Sequence, residues 1–306
     1  MLNDVQSGIF FGLITAFFQS VSYILSRFFM QNGRTPTQLL CAAQIIMGVL
    51  AVAALPFFVG AWQAPGWNFV VWTIVGTVGY MLGQWTWFKA IKLVEGSRLA
   101  SLYCLKIPVV GVLCAWVLDL QFSWSMIIGV GLAVAAAMLM NHRKGGGFSW
   151  AGMPFLALAI VCFASSDIGV SGMLQLLSAH GEGRCYAVGM VACICNIISG
   201  SVVAPFAKKL KCNWPVIVAA IPYALCYLFT LITIYVCFSV MEPVYVNVIV
   251  STRGIFSLVL GVLVAKLGYT AVETKLSRKE WIQRGVAALI MFSAIIIYSY
   301  SKFQEV

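Results

Sequence analysis

Stretches of about 20 apolar residues, each closed by a short turn, recur ten times along this chain. A helix of that length crosses the hydrocarbon core of a bilayer, so each stretch predicts a spanning helix. The predicted spans are 8–30, 37–59, 68–90, 98–118, 123–141, 150–178, 185–206, 215–240, 244–266 and 281–301. Between them lie Asn32-Gly33 ahead of Pro36, Pro65-Gly66, Glu95-Gly96-Ser97, Gly145-Gly146-Gly147 and Gly181-Glu182-Gly183, which are turn-forming residues. No stretch is left over for a soluble domain, which excludes catalysis in an attached one. The fold class predicted is an all-α integral membrane protein with ten transmembrane helices.

The glycine stretch divides the chain into a first five-helix repeat, 1–144, and a second, 145–306. Features of the two halves coincide at a shift of 147 or 148 residues: Gly33 falls on Gly181, Gln19 on Asp167, and Glu95 on Glu242. With five helices per repeat, the second enters the membrane in the opposite sense. Inverted repeats place a substrate site near the midplane, at the repeat interface.

Composition agrees: 62% of residues are hydrophobic and 9% charged, whereas a soluble domain carries roughly 25% charged residues. The net charge of +10 would suggest nucleic acid in a soluble chain. Here it reports basic loops on one membrane face, and nucleic acid is not an expected partner. Residues 1–7 hold no Lys or Arg, and 8–30 is too long for a signal-peptide core, so it reads as the first span. The ten cysteines have no disulfide or zinc spacing, and most read as small packing residues. His142 and His180 are loop residues, so neither a metal nor a cofactor is expected.

Two polar outliers change the picture most. Lys106 lies near the centre of the apolar run 99–118 and Arg253 near the centre of 244–265, and the 147-residue shift superimposes them. A cation at mid-membrane costs about 2.5–3.5 kcal/mol on insertion scales and needs a partner or a watery cavity. Symmetric cations suit a carboxylate, phosphate or sulfate, with Arg supplying a bidentate fork and Lys a movable point charge. The competing reading ties both into internal ion pairs with Asp167 and Glu242.

The layout resembles the drug/metabolite transporter superfamily, in particular its ten-helix EamA-type members. The resemblance rests on the five-plus-five arrangement and on the end of each repeat. In the first, Ala100-Ser101-Leu102-Tyr103 and Pro108-Val109 lead to the helix holding Gly129 and Gly131. In the second, Arg253-Gly254-Ile255-Phe256-Ser257 is followed by Lys275-Leu276-Ser277 and the helix with Gly285. Asp119-Leu120-Gln121 stands where many relatives carry a Gly-Glu pair. The resemblance implies a small-solute carrier and no enzyme. Relatives that carry phosphorylated sugars likewise present basic residues from the helices that hold Lys106 and Arg253 here.

Around the cations, Gln19, Trp85, Tyr103, Tyr227 and Asn247 are candidate substrate contacts, each also readable as packing or interfacial belt. Gln19 belongs to a polar stripe with Thr15, Ser22 and Ser26 that must face the bundle interior or water. Asp167, in Ser165-Ser166-Asp167, is either a carboxylate that takes a proton when closure removes its water or a structural partner of Lys106 or Arg253. Glu95 and Glu242 precede the cations by 11 residues, roughly 16 Å along a helix and too far for direct pairing. Capping a helix N-terminus is the leading reading for both, with gating second. Gly76, Gly79 and Gly83 signal a close helix–helix approach.

The leading functional expectation is a secondary active transporter of a small organic anion, a phosphorylated or carboxylated metabolite, working by alternating access at a midplane cavity. Membrane lipid and protons are expected partners, in a monomer or homodimer of a bacterial cytoplasmic membrane. One alternative is an amino-acid or drug exporter, with Asp167 binding an amine. Another is a translocase for an anionic or polyprenyl-phosphate lipid. Loops following the odd-numbered helices carry 15 Lys and Arg, against Arg184 and Lys302 on the opposite side. The positive-inside rule therefore places both termini outside the cytoplasm, whereas the resemblance implies the reverse. A cytoplasm-dependent reporter fused after Val306 should be inactive, and single cysteines at 275–279 should resist labelling from outside; an active reporter with an externally labelled loop would establish the family orientation.

Overall fold

A computed structural model describes residues 2–31, 33–58, 66–93, 103–118, 124–141, 152–179 and 183–266, with 282, 283, 285–287, 289, 290, 293, 294 and 297 beyond them. Among the described residues every regular element is helical and none is a strand. In chain order the helices are α1 (Leu2–Gln31), α2 (Pro36–Ala54), α3 (Trp67–Leu93), α4 (Lys106–Val117), α5 (Trp124–Asn141), α6 (Met153–Ala179), α7 (Arg184–Val203), α8 (Trp214–Phe238), α9 (Pro243–Val250) and α10 (Arg253–Lys266).

Among the described residues, six helical stretches are long and apolar enough to cross a membrane: Asp4–Gln31, Pro36–Phe57, Met153–Ser178, Arg184–Phe206, Trp214–Phe238 and Pro243–Gly261. The expected fourth and fifth spans appear as the shorter apolar helices Lys106–Val117 and Ile127–Ala136. The described residues thus give an integral, multi-pass, all-helical chain with six stretches of spanning length among them. The two halves nevertheless repeat their local grammar. After α2 comes a 3₁₀ turn, Leu55–Phe57, and after α7 another, Ala204–Phe206, each with a central proline. The next helices, α3 and α8, both begin on tryptophan.

The ninth span is not the continuous helix that its hydropathy predicts. α9 ends at Val250 and α10 starts at Arg253. Between them the backbone tightens: the amide of Thr252 donates to Ile249 O at 3.0 Å and that of Ile255 to Thr252 O at 2.8 Å. The Ser251 and Thr252 hydroxyls fold back onto the carbonyls of Val248 and Ile249. Such back-bonding competes with the regular ladder and favours a 3₁₀ turn. In the first half, Lys106 likewise follows a 3₁₀ turn, Tyr103–Leu105. Pro108 has no N–H to bond the carbonyl of Cys104 and its ring crowds that carbonyl, which favours a change of winding there. Lys106 and Arg253 are therefore each the first α-helical residue after a tightened turn.

The chain forms two compact units, each drawing on both halves of the sequence: Met1–Thr77 with Gly169–Met241, and Val78–Ile168 with Glu242–Val306. In the first, α1 lies on α8, and α2 lies on α7 and α8. Its core joins Phe29, Leu39, Ala42, Val216 and Ala220, extended by Ala43, Met47 and Ala224. In the second, α4 packs on α9, and Ile107, Ala133, Ala136, Val248 and Ala294 share one core. A second cluster there holds Ala90, Leu156 and Ile160.

Glycines set the α3–α6 distance, as their spacing predicts. Within the first unit, a Cβ on Gly169 would stand 2.3 Å from the backbone nitrogen of Gly76. Within the second, a Cβ on Gly79 would stand 2.8 Å from the carbonyl oxygen of Cys162. Backbone cannot yield as a side-chain tip can, so Gly169→Ala should lower thermal stability in detergent by about 1–3 kcal/mol. Gly131→Ala, where a Cβ meets nothing within 4 Å, should leave it unchanged or slightly raised. Equal melting of the two variants would remove the tight α3–α6 contact.

Candidate functional site

The second unit gathers the polar residues that its apolar surroundings can least leave alone. Lys106 at the start of α4 is 7% exposed, and Asp167 in the middle of α6 is 9% exposed. Lys106 Nζ and Asp167 Oδ2 are 2.7 Å apart. The same carboxylate oxygen accepts a hydrogen bond from Asn247 Nδ2 at 2.6 Å, and that amide also donates to Pro243 O at 2.8 Å. One oxygen thus joins α4, α6 and α9. Removing either charged partner would strand the other in an apolar setting, at a cost of about 3–5 kcal/mol.

Tyr103, in the 3₁₀ turn before α4, organises the aromatic side of the site. Its ring meets Trp87 edge-on at 4.9 Å and Phe163 at 5.8 Å. Arg253, half-buried at the start of α10, places Cζ 4.5 Å from the Tyr103 centroid. Lys106 Nζ stands 5.9 Å from the same centroid and 6.0 Å from that of Phe163. Cations over the faces of aromatic rings gain from the ring quadrupole, more so where water is excluded. The two symmetric cations therefore converge on one tyrosine ring.

From the sequence Lys106 could face substrate or an internal acid, and the ion pair with Asp167 is formed in this structure. Asn247 and Tyr103 join the cluster as well. Phe163 was missed; its position four residues before Asp167, on the same helical face, was the available signal. Glu242 occupies the N-cap position of α9 with extended backbone and Pro243 behind it, but its side chain makes no capping hydrogen bond. The position fits the capping reading and the bond does not. Trp85 is 49% exposed and carries Lys89 Nζ 3.7 Å above its ring. Glu95 lies outside the described residues.

The remaining candidates belong to the first unit. Tyr227 stacks on Tyr223 with centroids 5.6 Å apart and planes 7° from parallel. Gln19 is half-buried on α1, and its carbonyl accepts from the Ser22 hydroxyl at 2.7 Å. In the same stripe the Thr15 hydroxyl reaches Thr233 at 2.8 Å, and Ser26 bonds Tyr23 O at 2.7 Å. Local and cross-helix bonds thus satisfy much of the stripe, as an apolar interior demands.

Comparison with known proteins bears on the fold and the family. A solved structure titled only "Crystal structure of protein" aligns with 97% of this chain and 96% of its own, at 14% identity and a TM-score of 0.67. At that identity the likeness concerns the fold alone. No curated protein matches the chain in sequence. Residues 6–142 match the EamA-like transporter family, a family of membrane transporters of small molecules, and the resemblance to the drug/metabolite transporter superfamily is thereby borne out.

Proposed function

We propose that this protein is a secondary active transporter of a small organic anion, a phosphorylated or carboxylated metabolite, bound at Lys106 and Arg253. The observation that carries the reading is the convergence of both cations on the Tyr103 ring, each from the first residue of a helix that follows a tightened turn. In this reading Asp167 is the internal anion that holds Lys106 when no substrate is bound. An incoming carboxylate or phosphate competes for the ammonium group and takes the Arg253 fork as its second contact. Asp167, released from Lys106, keeps its bond from Asn247 and takes up a proton, because an unpaired carboxylate is costly in an apolar interior. Substrate and proton then bind together, the anion on the ammonium group and the proton on the carboxylate that it displaces, which is a means of coupling.

The tightened turns fit this reading. Short 3₁₀ stretches inside longer helices often mark hinges, and transporter sites are commonly built on interrupted helices. The reading of Asp167 as an amine receptor is not favoured, since its Oδ2 is already engaged by Lys106 and Asn247. We assign the carrier to a bacterial cytoplasmic membrane, as the family resemblance suggests.

Thermal-shift and saturation-binding measurements on purified protein, with phosphorylated sugars and carboxylates as ligands, test the site. Loss of one buried charge contact costs about 2–5 kcal/mol, or roughly 30- to several-thousand-fold in affinity. Arg253→Gln should therefore abolish saturable anion binding, and Arg253→Lys should restore it in part only. Lys106→Gln leaves Asp167 unpaired, so the double variant Lys106→Gln/Asp167→Asn is the cleaner test: folded, with anion binding lost. Asp167→Asn alone leaves Lys106 unpaired and so lowers stability without ligand, but it should keep anion binding and lose accumulation driven by a proton gradient in proteoliposomes. Wild-type affinity in the double variant and in Arg253→Gln would overturn the assignment.

A further inference from the structure

Away from the charged cluster, in the first unit, two cysteines lie far apart in sequence and together in space. Cys41 is on the first turns of α2 and 1% exposed. Cys212 is half-buried in the turn between α7 and α8. Its Sγ donates to the carbonyl of Gln38 at 3.7 Å, three residues before Cys41 on the same helix, which sets the Cys212 thiol beside the turn of α2 that carries Cys41, near enough for the two thiols to influence each other.

The turn is built to hold Cys212 there. Lys211 has φ of 55°, the left-handed region where glycine is usual. The amide of Cys212 donates to Ala207 O at 2.9 Å and that of Lys211 to Lys208 O at 3.2 Å. These paired bonds form a Schellman motif closed by a lysine. Keeping a side-chain-bearing residue in this conformation costs of order 1 kcal/mol or more, so the surrounding contacts must fix it. Lys208, Lys209 and Lys211 put the turn on the basic side of the chain, the expected cytoplasmic face, where thiols are kept reduced.

We propose that Cys41 and Cys212 are a redox-active dithiol that closes to a disulfide by exchange with a low-molecular-weight disulfide of the glutathione class. The Cys212 thiolate attacks the small disulfide and expels one thiol, leaving a mixed disulfide. The Cys41 thiolate then attacks the Cys212 sulfur and expels the second. The two protein thiols lose two electrons and two protons, and the small disulfide becomes two thiols. The new bond staples the α7–α8 turn to the start of α2 and opposes any separation of the two. Burial pushes the Cys212 thiol up, and the neighbouring Cys41 side chain opposes that shift in part. The dithiol is therefore slow to react at neutral pH and faster as pH rises.

Full-length protein in detergent is treated with oxidised glutathione, quenched with N-ethylmaleimide, digested and examined by mass spectrometry. Wild type should yield a Cys41–Cys212 cross-linked peptide that dithiothreitol reverses, forming about tenfold faster per pH unit below the thiol's pKa. Cys41→Ser should trap a stable glutathione adduct on Cys212, because the resolving thiol is gone. Cys212→Ser should leave Cys41 unmodified, since it is buried. The proposal is overturned if wild type accumulates the Cys212 adduct, pairs Cys212 with another cysteine, or yields no Cys41–Cys212 cross-link with Cys212 still open to maleimide. None of these readouts depends on the transported solute, so the dithiol and the anion site fail separately.

Discussion

The second unit depends on one carboxylate oxygen. Asp167 Oδ2 receives both Lys106 and Asn247 and so ties α4, α6 and α9 through a single atom. In water such a contact would be weak. In an apolar bundle the alternatives are an unpaired cation on α4 or an unpaired carboxylate on α6, and both are costly. The pair is thus a restraint on which arrangements of these three helices are allowed. In the proposed carrier a competing anion and a proton release that restraint together.

Winding, more than hydropathy, determines where the cations stand. Proline at 108 and the hydroxyls at 251 and 252 each disturb the regular ladder just before or after a basic residue. An uninterrupted helix would carry Lys106 and Arg253 as ordinary mid-span residues. The tightened turns instead place each at the start of a helical segment, over an aromatic ring that softens the loss of water. Aromatic packing and charge burial are one arrangement here: Trp87 and Phe163 hold Tyr103, and Tyr103 faces both cations.

Close backbone contact does the rest. In lipid there is little hydrophobic gain from bringing two apolar helices together, so small residues and satisfied polar groups must drive the packing. The Gly76–Gly169 and Gly79–Cys162 approaches supply the first, and the Thr15–Thr233 bond between α1 and α8 an example of the second. In the first unit, α2 and α7 cross where a Cβ on Gly48 would lie 3.2 Å from Gly200. The Cys41–Cys212 pair lies at the α2 end of this packed unit, and a covalent bond there would add to contacts already present.

The sequence by itself determined the class of the protein. Apolar runs of spanning length, their glycine-containing turns and the family resemblance can all be read from residue order, because lipid leaves helices few alternatives. It also singled out Lys106, Arg253 and Asp167, since charge in an apolar run is conspicuous. Tertiary structure decided their partners. Lys106 had Asp167 and Glu242 as available acids, and the choice turned on which helices meet, a fact of long-range packing that no local pattern encodes. Tertiary structure likewise interrupted the ninth span at Ser251 and Thr252, where hydropathy is blind to hydroxyl back-bonding. Phe163 escaped notice because an aromatic residue in an apolar run carries no signal until its neighbours are known. Cys41 and Cys212 were each unremarkable for the same reason: 170 residues separate them, and only the fold brings them together.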